Sequence, residues 1–198
     1  MKGETARTDF FSFLGLPRKL KIDTADLEQR YRALSRQFHP DYFYNAPPAE
    51  RRISLERSSY LNDAYRTLKN PVLRIEYLLK VEGATPQGPE QASKQVPPAL
   101  LEEVFALNEE LDEIREQRAA GAAVEQWKPR VEQARRPIET KRAKHEAQLE
   151  ELSRKWDALV DGAASDADRQ AVLDDLRARL LERNYINNLL TEIERELR

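Results

Sequence analysis

The sequence contains no cysteine, which removes disulfides, thiolate nucleophiles, zinc ribbons and cysteine-ligated iron–sulfur clusters from its repertoire. Histidine is nearly as scarce: only His39 and His145 carry an imidazole, so neither a metal site nor a bound cofactor is expected. Just 6 glycines are available for the positive-φ turns that strand-rich folds consume. No apolar run approaches the roughly 20 residues needed to span a bilayer, and the opening MKGETARTDFFSF lacks the basic-then-apolar pattern of a secretory signal. A cytoplasmic location without membrane association is the expectation. No P-loop, GxGxxG, GxSxG or HExxH pattern occurs, and two histidines without a cysteine make a catalytic site hard to assemble, so the chain is not expected to be an enzyme.

What is present points to helices. Charged residues make up 34% of the 198 positions and hydrophobic ones 40%, with Leu, Ala, Glu, Arg and Lys prominent, as amphipathic helices require. The fold class expected is all-α, in one or two small domains. Charge is uneven along the chain: residues 1–81 hold 15 Lys+Arg against 10 Asp+Glu, and the remainder holds 18 against 25. A basic and an acidic half suggest two surfaces with different partners, or simply two solvated surfaces.

The stretch EGATPQGPEQASKQVPP has no apolar period and is read as a linker, dividing the chain into domains at 1–81 and 99–198 with residues 82–98 between them. In the first domain, DFFSFLGLP gives a short apolar turn stopped by Gly15 and Pro17. A second helix opens at Asp23 or Thr24 and repeats Leu27, Leu34 and Phe38 at helical spacing. Pro40 closes it near Phe38, leaving His39, Pro40 and Asp41 in a loop that runs to Pro48. A third helix is expected from about Ala49 to Lys69, with Ile53, Leu61, Ala64, Tyr65 and Leu68 on one side, and a short fourth follows Pro71. In the second domain, Leu100, Val104, Leu107, Leu111 and Ile114 form a bundle seam. Val124, Val131, Ile138, His145, Leu152 and Leu159 repeat every seven residues, predicting a helix of about 37 residues. Pro129 and Pro137 fall inside it, so a kink or a late start is expected, each interior proline costing about 3 kcal/mol. After Gly162, Ser165 or Asp166 caps a last helix with Ile186, Leu190, Ile193 and Leu197 on its seam. Three such helices make an antiparallel bundle. Trp127 and Trp156 are read as packing anchors, and His145 as a hydrogen-bonded histidine at the bundle boundary.

YRALSRQFHPDYF is the most informative segment. An HPD tripeptide here follows a basic amphipathic helix, precedes a helix of matching length, and is itself preceded by a short aromatic turn. Over roughly residues 9–80 this resembles the J domain of DnaJ-type co-chaperones. The resemblance implies that His39, Pro40 and Asp41 contact a DnaK-type chaperone ATPase and stimulate its ATP hydrolysis. Those residue types suit such a contact: a carboxylate accepts a charge-assisted bond, and a proline lowers the entropy lost on docking. Arg32 and Arg36 are four apart on one face, able to meet an acidic surface or to serve as solvated filler; Tyr31 and Arg30 flank them.

DFFSFLGLP, HPDYF, NDAYRTLKNPVLRIEYLL and NEELDEI, in that order, resemble HscB-type J-domain co-chaperones of iron–sulfur cluster assembly. That family implies a two-ended adaptor, in which the J domain recruits an HscA chaperone and the C-terminal bundle holds the scaffold protein IscU. Leu101 and Phe105 sit one position after seam residues and so point about 100° off the seam. Either the linker or the J domain covers them, or they form a client patch; the resemblance implies the second, with Leu101, Phe105 and Tyr185 matching and Glu109 as a polar rim. Glu102 departs from the family's apolar pattern and makes that patch smaller. Two rivals remain: a J-domain co-chaperone with another client, and a helical nucleic-acid binder. The second is disfavoured because the basic residues are dispersed and the whole chain is acidic.

Overall fold

The computed structural model describes residues 8–84, 98–162 and 164–197, and every regular element among them is helical. In order these are α1 (Phe10–Phe13), α2 (Thr24–Phe38), a 3₁₀ turn (Pro40–Phe43), α3 (Pro48–Lys69), α4 (Pro71–Val81), α5 (Pro98–Ala119), α6 (Val124–Asp161) and α7 (Asp166–Glu196). The chain packs as two units. One comprises Met1–Thr85 with Ser153–Leu173, the other Pro86–Leu152 with Asp174–Arg198.

In the first unit, Asp9 caps α1 and Gly15, at φ 67°, ends it. Asp23 rather than Thr24 caps α2, its carboxylate accepting from the N–H groups of Ala25 and Asp26. Contacts along α2 and α3 run in reverse order, Phe38 meeting Ser54 and Arg57 while Tyr31 meets Asn62 and Tyr65. The two helices are therefore an antiparallel hairpin. Its interior is built by Phe11, Leu14, Leu27, Leu61, Ala64 and Leu68. Ile53, expected on the inner side of α3, is exposed instead, and Ser54 takes the inner place. The reason is register: Ser54, Leu61 and Leu68 lie seven apart, and Ile53 falls about 100° off that line. Arg74 is buried with its Nε donating to the Leu68 carbonyl at 2.6 Å and its Nη1 to the Leu20 carbonyl; desolvation lowers its pKa, yet a guanidinium stays charged.

The expected linker over 82–98 lies outside the described residues from 85 to 97. Its first three residues belong to the end of α4: Gly83 adopts φ 70°, and the Ala84 N–H donates to the Leu79 carbonyl, burying Ala84. Nor do the units follow a single cut, because the end of the α6–α7 hairpin packs with the N-terminal residues. Trp156 is buried and its indole N–H donates to the Arg18 carbonyl at 2.7 Å. Asp157 accepts from the Leu20 and Lys21 N–H groups at 2.6 and 2.9 Å, and Lys19 pairs with Asp161. Burial pushes the Asp157 carboxyl up, against those two backbone bonds.

The core of the second unit joins Leu107, Leu111 and Ile114 of α5, Trp127, Val131 and Ile138 of α6, and Ile186, Leu190 and Ile193 of α7. Arg118 stacks on Trp127 at 4.4 Å from the ring centre. Helix α6 runs unbroken through Pro129 and Pro137, with no late start. Each proline frees one carbonyl, of Glu125 and Gln133, and all four residues are exposed, so water can satisfy what the ring removes. Val124, expected on the α6 seam, is exposed; it occupies the first turn, and Trp127 supplies the first buried side chain there. Ser165 caps α7, its hydroxyl accepting from the Asp168 N–H.

His145 is 2% exposed, with Nε2 2.7 Å from the Arg179 carbonyl. A carbonyl only accepts, so Nε2 carries the proton. Desolvation by burial, outweighing the Arg179 carbonyl bond and the Glu182 charge, holds its pKa below the ordinary value. The folded form therefore resists protonation while the unfolded chain takes up a proton near pH 6.5. Its contribution is fully present above that pH and is lost as pH falls from there toward the folded value. Thermal melts between pH 7.5 and 5 should show the melting temperature falling, and His145→Gln should flatten that slope.

Candidate functional site

Two surfaces carry the residues that the sequence singles out, one in each unit. The first is the tip of the α2–α3 hairpin. Pro40 cannot donate a backbone hydrogen bond and disfavours helical geometry at His39, whose ψ of 125° ends α2. The proline's own fixed φ then suits the first position of the 3₁₀ turn that follows. This turn replaces the plain loop expected from the sequence. It presents His39 and Asp41 outward, with side chains 49% and 86% exposed.

His39 Nδ1 accepts from the Asp41 N–H at 3.3 Å and lies 3.5 Å from Asp41 Oδ2. That contact assigns the neutral ring's proton to Nε2, which has no partner among the described residues. The imidazole meets the Tyr42 ring edge to face. Ser35, Arg36, His39, Asp41 and Tyr42 together line a shallow depression of about 190 Å³. An acceptor carboxylate, a ring N–H donor and the Arg36 cation thus share one small exposed corner.

The other α2 candidates divide. Arg32 pairs with Glu28 in its own helix, and Arg36 donates to the Arg32 carbonyl, so both stay on the exposed face. Tyr31 is partly buried, its hydroxyl donating to Asn62 at 2.9 Å and its ring stacked on Tyr65. Arg30 is committed elsewhere: it pairs with Asp26 and donates to the Gly15 carbonyl at 2.8 Å, closing the end of α1. Ser54, which the sequence reading passed over, holds the tip. It is buried and its hydroxyl donates to the Phe38 carbonyl at 2.8 Å, satisfying one of the last acceptors of α2. A small polar residue at a buried heptad position was the available signal.

The second surface lies on α5. Leu101 is exposed and Phe105 is 69% exposed, while Leu107, Leu111 and Ile114 fill the core. Leu101, Phe105 and Glu109 are spaced by four, so they form one stripe, and Glu109 is also exposed. Tyr185 is half-buried on α7 beside core residue Ile186. Among the described residues no hydrogen bond or ring contact joins it to that stripe. No group of three or more His, Asp or Glu among the described residues is arranged to hold a metal ion, and no helix there is long and apolar enough to cross a membrane.

Residues 9–77 match the DnaJ domain family. Over almost the whole chain the fold is similar to a chaperone HscB from Vibrio cholerae, with a TM-score of 0.59, 26% identity, and 95% of this chain and 96% of that one covered. It is similar also to the human co-chaperone protein HscB, with a TM-score of 0.65, 26% identity, and coverage of 96% and 82%. The chain is a J-domain protein of the HscB type. The role that goes with that family is that of a co-chaperone in iron–sulfur cluster assembly. In this HscB-type chain the HPD tripeptide falls at the outward corner of the hairpin, inside the matched domain.

Ser54→Ala should leave the Phe38 carbonyl unpaired in a buried place and cost about 1–2 kcal/mol in urea denaturation. His39→Gln and Asp41→Asn, with exposed side chains and only local contacts, should each shift stability by less than about 0.5 kcal/mol.

Proposed function

We propose that the chain is a two-ended adaptor: its J domain recruits an HscA/DnaK-type chaperone and stimulates its ATPase, and its C-terminal helices carry an IscU-type scaffold to that chaperone. The observation that supports this most is the exposed His39–Pro40–Asp41 corner within a chain that is HscB-like along nearly its full length. The adaptor does no covalent chemistry. Asp41 offers the partner a charged acceptor, His39 an N–H donor, and Pro40 a corner already fixed before docking, so little ordering entropy is lost. Arg32 and Arg36 extend the contact toward an acidic face of the chaperone, and Tyr31 braces the helix that carries them against α3.

Scaffold binding is the role proposed for Leu101, Phe105 and Glu109, with Tyr185 contributing from α7. A large aromatic left in water beside a filled core is the type of residue that anchors an interface. A nucleic-acid reading draws little from the basic surplus of residues 1–81. Arg30, Arg32, Arg52 and Arg66 each pair with a carboxylate three or four residues away, so much of the positive charge is neutralised locally.

Asp41→Asn should abolish stimulation of the chaperone's steady-state ATP turnover while circular dichroism stays that of the parent. Retained stimulation would refute the docking role. Phe105→Glu should weaken scaffold binding by more than about tenfold in titration calorimetry. It should leave J-domain stimulation in the absence of scaffold unchanged.

A further inference from the structure

Among the described residues, the large apolar or aromatic side chains left most in water are Tyr44, 77% exposed, and Tyr42, 72% exposed. Both belong to the 3₁₀ turn that follows His39, Tyr42 inside it and Tyr44 at its end. Phe43, between them, is partly buried, so the turn has an inner side and neither tyrosine is on it. Exposed apolar residues scattered singly are ordinary, but two on one short turn make a patch.

The register of the turn ties that patch to the HPD corner. Positions three apart in a 3₁₀ turn eclipse one another, and His39 with Tyr42 and Asp41 with Tyr44 are two such pairs. Backbone bonds join each pair: the Tyr42 N–H donates to the His39 carbonyl at 3.1 Å and the Tyr44 N–H to the Asp41 carbonyl at 3.4 Å. The first pair is also in ring contact, with centroids 5.9 Å apart. Each polar side chain of the corner therefore has a tyrosine one turn behind it. Neither tyrosine hydroxyl has a hydrogen bond among the described residues. Tyr42 lines the same depression as Arg36, His39 and Asp41. A molecule that enters this depression to meet Asp41 and His39 must cover Tyr42 as well, and Tyr44 adjoins it on the Asp41 side.

We propose that Tyr42 and Tyr44 are the apolar half of the chaperone contact: they set how tightly the chaperone is held, whereas Asp41 makes the contact stimulate. This division of labour rests on the HPD corner being the chaperone-docking site, as proposed above. The rings suit the task. Tyrosine has only two χ angles to immobilise, and it is among the residues that dominate interface energies. Pro40 and the two backbone bonds already fix the turn that carries them. The chaperone surface that fits this corner sets apolar area on either side of the group that donates to Asp41.

The test is a titration of an HscA-type chaperone's steady-state ATP turnover with the full-length protein and its variants, each checked by circular dichroism. Tyr44→Ala removes a side chain with no ring contact or hydrogen bond among the described residues, so its effect cannot pass through His39. It should raise the concentration giving half-maximal stimulation by about fivefold. Tyr42→Ala combined with Tyr44→Ala should raise it by at least about tenfold, with the parental maximum still reached. Tyr42→Phe combined with Tyr44→Phe should bring it back to the parental concentration, since the rings and not the hydroxyls do the holding. Asp41→Asn should instead lose the maximum itself. A parent protein that fails to raise turnover sinks the chaperone-docking reading and this one with it. If the parent stimulates, this proposal alone is overturned by a parental half-maximal concentration in the double alanine variant, by a lowered maximum in place of the shift, or by phenylalanine variants as weak as the alanine ones.

Discussion

The geometry of the hairpin tip rests on how α2 is made to stop. A helix leaves its last carbonyls without intrahelical partners, and a proline two residues beyond Phe38 forbids the chain from supplying them by continuing. Ser54 supplies one from the opposite helix, donating to the Phe38 carbonyl at 2.8 Å from a buried position. Around that bond Phe38 is held between Phe13 and the Arg57 guanidinium. The corner that follows is therefore anchored on its inner side and bare on its outer one. His39 and Asp41 owe their exposure to this: the chain turns away from the core, leaving His39 only partly covered beside the Tyr42 ring and Asp41 in solvent.

Local pattern made the helices, their caps and the HPD corner readable, because each is a matter of spacing within a few residues. The errors have a common form. Ile53 is β-branched and apolar, yet Ser54 holds the inner place because helical phase, fixed by Leu61 and Leu68, runs through it; Val124 shares the phase of buried Val131 and Ile138 but stands in the first turn of α6, where Trp127 is the first buried side chain. The prolines of α6 were weighted by their intrinsic cost, whereas their exposure on the solvent side removes most of the reason for a break. Arg74 donates to the Leu20 carbonyl and Arg30 to the Gly15 carbonyl, partners that no periodicity encodes.

The same limit explains the unit boundaries. A proline-rich stretch marks where contacts are few along the chain, but it says nothing about which residues return. The sequence marks Trp156 as a packing anchor without saying what it packs on, and it does not single out Asp157. In the fold they meet the backbone of Arg18, Leu20 and Lys21, more than 130 residues earlier, and draw the α6–α7 turn into the first unit. For the candidate sites the division is similar. The HPD corner was legible from three letters in context, and the off-seam stripe from phase.

Magnitudes separate the two surfaces. Fully burying a side chain such as Leu or Phe contributes about 1.5–3 kcal/mol, and Leu101 and Phe105 have only 42% and 69% of their surface left to cover, so together they supply roughly 2–3 kcal/mol to any complex that covers them. Micromolar affinity needs about 8 kcal/mol beyond the cost of association. The stripe alone falls short of that, and a polar rim such as Glu109 adds orientation more than strength. A scaffold bound here would thus have to draw on additional contacts, which is the position of Tyr185, half-buried on α7 and not joined to the stripe in the free chain. The HPD tripeptide differs in kind: it has little apolar area of its own to cover, and in the docking role proposed for it what it would bring is a charged acceptor and an N–H donor already set in place by a proline.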